Sequence, residues 1–149
     1  MTKATDLLLA YENLNWELYI DLSQDLTRIK VDRIDDELST QATLFSYYSG
    51  LFEYAKKDCE ILEIELTQAM ADARMVAQRE CEEMGKRPTA NILDSYVNSD
   101  PIYKELSLKL TECKYKLGLL KSLMNALSHK KDMLVQISAN QRSEKGLYS

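Results

Sequence analysis

At 149 residues, with 45% hydrophobic and 29% charged side chains, the chain suits one domain of ordinary composition. Four Gly and two Pro leave little material for turns and favour long helices with few connections. The net charge of −5 argues against a simple, strongly basic nucleic-acid binder, and the lack of any run of eighteen apolar residues argues against a membrane-spanning helix.

The mean charge hides a division. Residues 1–40 and residues 41–84 each hold 4 Lys/Arg against 9 Asp/Glu, whereas residues 85–149 hold 11 against 6 and are net +5. An acidic first part and a basic last part point to head-to-tail association or to a local anionic partner. Cys59, Cys81 and Cys113 form no CxxC, so zinc and dithiol redox motifs are absent, and Cys59 and Cys113, which fall on apolar seams, read as small buried thiols. The apolar run near the N-terminus is too short for a signal peptide, and a reducing cytoplasm is the expected setting.

Residues 4–15 form a short amphipathic piece through Leu7, Leu8, Leu9, Tyr11 and Leu14, and Trp16 to Thr27 continues it through Leu18, Tyr19, Leu22 and Leu26. Around Ile29 and Val31, apolar β-branched residues alternate with charges, which predicts an extended connector over residues 28–35 with Asp35 or Asp36 capping the helix after it. Residues 1–35 are thus an N-terminal helical segment and connector, 36–142 a long helical hairpin, and 143–149 a flexible tail.

From Asp36 to Met84 the chain has no Pro, and Gly50 within a helix costs about 1 kcal/mol relative to Ala. Tyr48, Phe52, Ala55, Cys59, Leu62, Leu66, Ala69, Ala73 and Val76 recur at alternating gaps of 4 and 3, a heptad seam. Gly85 suits the position just past a helix end, and Pro88 prevents continuation. Ile92 to Val97 reads as a short helical turn. Asp100-Pro101 then opens a final helix reaching about Asn140, with Asp100 as N-cap and Pro101 in the first helical position.

That helix carries a seam at Leu106, Leu110, Cys113, Leu117, Leu120, Met124 and Leu127. A second, offset row comprises Tyr115, Leu119, Leu123, Ala126, Met133 and Ile137. The first row closes an antiparallel hairpin. The second, of which Leu119, Leu123, Ala126, Met133 and Ile137 are the oligomerisation candidates, meets a neighbouring subunit.

No chemistry-bearing constellation stands out. Asp35-Asp36 and Glu82-Glu83 are solvated pairs, His129 is the sole histidine, and no P-loop, nucleophile elbow or kinase signature occurs. The chain reads as non-enzymatic, with no metal and no cofactor. Lys104, Lys109, Lys114, Lys116, Lys121, Lys130 and Lys131 lie along the last helix, and Arg74, Arg79, Lys86 and Arg87 gather around the hairpin turn. These are either solvated faces or phosphate contacts. Few aromatics interleave them, so any nucleic-acid binding rests on phosphate, is indifferent to sequence and is sensitive to salt. Arg74, Arg79, Lys86, Arg87, Lys114 and Lys121 are the candidates.

Several blocks, in order, resemble the UvsY-type recombination mediators of tailed phages over roughly residues 18–142. They are Asp25 to Leu38 with its Ile34-Asp35 rhythm, Leu44-Phe45-Ser46-Tyr47-Tyr48, Ala55-Lys56-Lys57-Asp58, Tyr96-Val97-Asn98-Ser99-Asp100-Pro101, and Leu120 to Leu134 followed by Arg142. The resemblance implies an all-α protein forming a ring-like homo-oligomer. It also implies sequence-independent binding of single-stranded DNA and help in loading a RecA-like recombinase onto strands coated by a single-strand-binding protein, in DNA recombination, repair and replication within the host bacterial cytoplasm. The family's DNA contacts are associated with a Lys-x-Arg element near the end of the first long helix. Here Asp72-Ala73-Arg74 keeps the Arg and has Asp in place of the Lys. The alternative is a structural helical protein of a phage or cytosolic assembly.

Overall fold

The scarcity of Gly and Pro produces long helices and short breaks. The computed structural model describes residues 16–148, and these contain four α-helices and no strand. Helix α1 spans Trp16–Thr27, α2 Ile34–Glu83, α3 Ala90–Ser99 and α4 Pro101–Leu147, with a 3-10 turn at Val31–Arg33. The amphipathic piece at residues 4–15 lies outside the described residues. No described helix is long and apolar enough to cross a membrane.

Three boundaries differ from expectation. The connector is not an extended strand-like segment. Only residues 28–30 lack helical structure, and the chain enters the 3-10 turn at Val31. Ile34 is buried, which draws the start of α2 forward, while Asp35, Asp36 and Glu37 all sit in its first turn, where their charge complements the helix dipole. The predicted turn at 92–97 is a full ten-residue helix, because Thr89 accepts the backbone N–H of Ile92 at 3.4 Å and caps it. Helix α4 continues through the expected tail to Leu147.

The helix ends between α2 and α4 match their sequence signals. Gly85 has φ +66, and the N–H groups of Gly85 and Lys86 donate to the carbonyls of Glu82 and Cys81 at 3.1 and 2.8 Å, a Schellman closure of α2. At the start of α4, an Asp100 carboxylate oxygen accepts the Tyr103 N–H at 2.8 Å.

The chain forms two compact units, and α2 and α4 each contribute a segment to both. One unit takes residues up to Phe52 and from Gly118 onward. There α1, the first part of α2 and the last part of α4 bury Tyr19, Ile34, Tyr48, Leu120, Leu123, Leu127 and Leu134. The buried positions on α4 correct the two-row reading. Leu123, assigned to the outer row, is only 4% exposed, and Met124 is half-buried. Helix α1 meets the second row at Leu119, where the Tyr19 hydroxyl donates to the Leu119 carbonyl at 3.3 Å. Lys130 is also corrected. It is not a surface lysine but is 6% exposed, its ammonium donating to the Leu26 carbonyl at 2.9 Å and to Glu37 Oε1 at 3.3 Å. The other Glu37 oxygen accepts the Lys30 N–H at 3.2 Å, so this carboxylate ties the end of the connector to α4.

Tyr48 is 1% exposed and its ring meets Tyr47 edge-on at 5.1 Å, but among the described residues its hydroxyl has no hydrogen-bond partner. A buried hydroxyl without a partner is destabilising. Tyr48→Phe is therefore expected to raise the unfolding free energy by about 1 kcal/mol in urea denaturation; a loss of stability would contradict this.

The other unit spans Glu53–Leu117. Within it the α2 and α4 segments run antiparallel, with Cys59 opposite Cys113 and Lys114 bridged to Glu63 at 3.1 Å. Ala69, Ala73, Ala77 and Cys81 are buried in steps of four, whereas Val76, placed on the seam by the heptad reading, is 48% exposed. The stripe turns because the end of α2 also faces α3. The Tyr96 hydroxyl of α3 donates to the Glu80 carboxylate, Arg74 pairs with Asp94, and Val97 is buried. Small Ala side chains permit this close approach.

Candidate nucleic-acid interface

A phosphate site needs cations that are exposed and not already neutralised. The turn at residues 84–89, held by the Schellman closure on one side and the Thr89 cap on the other, presents Lys86 and Arg87 on an ordered backbone. Arg79 lies two turns back on α2. All three are exposed, and none forms an ion pair among the described residues. Nearby acids are partly taken up elsewhere: Glu80 by Tyr96, and Asp94 by Arg74 at 3.4 Å. Glu82 and Glu83 remain exposed beside the turn and weaken its field.

The other candidates are placed differently. Arg74 is exposed but paired with Asp94, and Asp72, two residues before it, accepts from Gln68 at 2.8 Å. Arg74 is therefore not a free cation. Lys114 is exposed but bridged to Glu63. Lys121 is exposed and belongs to the other unit. Of the six candidates, Arg79, Lys86 and Arg87 share the α2–α3 end of one unit and form no ion pair among the described residues. On the oligomerisation row, Met133 is 54% exposed, Leu119, Ala126 and Ile137 are half-buried, and Leu123 is enclosed by its own unit.

Two features escaped sequence reasoning. Lys130 continues the seam, three residues after Leu127 and four before Leu134, so a lysine in that register was the available signal for an internal role. The second is an apolar groove of about 720 Å³ lined by Ile64, Ala69, Ala73, Val76, Ile102 and Leu106, with Glu65, Asp72 and Asp100 also lining it. Val76 is exposed into this groove and not packed on a seam, which heptad spacing alone does not distinguish.

No described residue is arranged with others as a cluster of three or more metal-ligating side chains. The strongest pKa perturbations come from burial. Burial pushes the Tyr19 phenol up to about 12. It pushes Tyr48 higher still, with the neighbouring Tyr47 and Tyr19 adding to the effect. It also pushes the Cys59 thiol up to about 12, helped by the hydrogen bond to Cys113. In each case the folded state keeps its proton after the unfolded chain has released it. Stability from these groups is thus complete below their unfolded values, about 9 to 10, and is lost as pH rises toward their folded values. Thermal midpoints followed by circular dichroism should be level between about pH 7 and 9 and fall steadily from about pH 10 to 12; a flat profile to pH 11 would contradict the burial of these groups.

No protein family's profile matches the chain, and neither a curated protein nor a solved structure does.

Proposed function

We propose that the protein is a recombination mediator. In this reading it is a ring-like homo-oligomer that binds single-stranded DNA without sequence preference and helps load a RecA-like recombinase onto strands coated by a single-strand-binding protein. The observation that carries this reading is the exposed cationic group Arg79, Lys86 and Arg87, without an ion pair among the described residues, on a capped helix end in a chain whose residues 85–149 are net +5. The ordered blocks resembling UvsY-type mediators supply the rest.

The mechanism is non-covalent. Three cations per chain bind phosphate weakly, but repetition around a ring raises the effective concentration and the number of counterions released. Exposed Met133, flanked by half-buried Leu119, Ala126 and Ile137, is the subunit contact in this reading. The acidic first part meets basic surfaces of the recombinase or of the coat protein. The test is the DNA-dependent ATPase of a RecA-type recombinase on single strands precoated with single-strand-binding protein. Adding this protein should shorten the lag several-fold; an unchanged lag at all ratios would overturn the mediator role.

The apolar groove favours a second reading, a structural helical protein that docks partner helices in an assembly. That reading leaves the cationic turn without a role and predicts no effect of the protein on single-stranded DNA.

A further inference from the structure

Cys59 on α2 and Cys113 on α4 are free thiols whose sulfurs lie 2.7 Å apart within the Glu53–Leu117 unit. The Cys59 thiol donates to the Cys113 sulfur, and the Cys113 thiol donates to the Ala55 carbonyl at 3.7 Å. Bonding distance requires an approach of only about 0.7 Å. Both residues sit in the middle of helices that pack side by side, so neither needs its backbone to unfold to reach the other. Cys81 is no competitor: it lies 22 residues further along α2, about 33 Å at the helical rise.

We propose that Cys59 and Cys113 are a modification site, a dithiol that a small-molecule disulfide oxidises to an intramolecular crosslink between α2 and α4. Cys113 is half-buried and Cys59 is only 4% exposed, so Cys113 reacts first. Its sulfur, as thiolate, attacks one sulfur of the small disulfide; that S–S bond breaks and one small thiolate leaves. Cys59 then loses its proton and attacks the Cys113 sulfur, forming the Cys59–Cys113 bond and expelling the second small thiolate. The two cysteines lose two electrons and two protons, and the small disulfide becomes two thiols. Burial of the Cys59 thiol makes the second step slow at neutral pH and faster in alkali.

The crosslink encloses the chain between residues 59 and 113, including the turn at 84–89 and all of α3. It restricts the unfolded ensemble of that unit, and its effect grows with the length of the enclosed loop.

The test uses the full chain incubated with excess oxidised glutathione at about pH 8.5, near the ordinary thiol range, then denatured and alkylated. Before alkylation the intact mass should fall by about 2 Da, and after it only one of the three thiols should carry the alkyl group. Peptide mapping should join Cys59 to Cys113 and leave Cys81 alkylated. The thermal midpoint should rise by about 5 °C or more and return after dithiothreitol. Cys81→Ser should behave as wild type, whereas Cys113→Ser and Cys59→Ala should each fail to crosslink. Three alkylated thiols, a glutathione adduct that persists on Cys113, or a crosslink to Cys81 would each overturn the proposal.

Discussion

Replacing Lys130 by Met is expected to lower the unfolding free energy by about 3 kcal/mol, with little change in the denaturant slope. The Lys130 side chain is 6% exposed and the Glu37 side chain 13%. Water therefore cannot replace the lost partner easily. Met preserves the unbranched stem between Leu127 and Leu134, so the loss reflects the charge and not a cavity. It strands the Glu37 carboxylate and removes the donor to the Leu26 carbonyl at the end of α1. Breaking a buried pair from one side leaves an uncompensated charge, and removing both charges does not. The double variant Lys130→Met, Glu37→Leu should therefore recover more than half of the loss. The Lys30 N–H that Glu37 also receives is exposed and can turn to water. Urea titrations of the two variants check this; a single variant within about 0.5 kcal/mol of wild type would show that the pair carries no weight.

Replacing Arg79, Lys86 and Arg87 together by Ala is expected to weaken single-stranded DNA binding about 100-fold at low salt, about 2.7 kcal/mol. All three side chains are exposed and form no ion pair among the described residues, so the folded state loses little by their removal. The signature lies in the salt dependence. If each cation neutralises one phosphate, the slope of log affinity against log salt should become shallower by about 2 for a single strand. Arg74→Ala should change the slope much less, because that guanidinium is held by Asp94. Equal effects of Arg74 and of the turn residues would mean that the ion pair does not persist in solution.

Much of the fold was legible because helix signals are local. Gly85, Pro88, Asp100 and Pro101 marked the end of α2 and the start of α4 through backbone preferences that need no tertiary context. Ile29 and Val31 misled because β-branched alternation resembles a strand, while the burial of Ile34 and the acidic first turn of α2 decide the outcome. The offset row on α4 was visible as a row, but its surroundings were not: sequence spacing cannot tell a neighbouring subunit from the chain's own α1, which reaches Leu119, or foresee that Leu123 is buried within its own chain.

The candidate site was legible in composition and less so in arrangement. Counting cations grouped Arg74 and Lys114 with Arg79, Lys86 and Arg87, since pairing with Asp94 and Glu63 arises between segments far apart in sequence. Lys130 was counted as a surface charge for the same reason, although its place between Leu127 and Leu134 already set it on the buried face.

Fluorescence anisotropy of a labelled single-stranded oligonucleotide, titrated with the unmodified protein at about 50 and 200 mM salt, tests the central claim most directly. Sequence-independent binding at the lower salt that weakens at least tenfold at the higher is the result predicted for a phosphate-reading oligomer. An absence of binding at the lower salt would contradict the DNA role and leave the structural reading in its place.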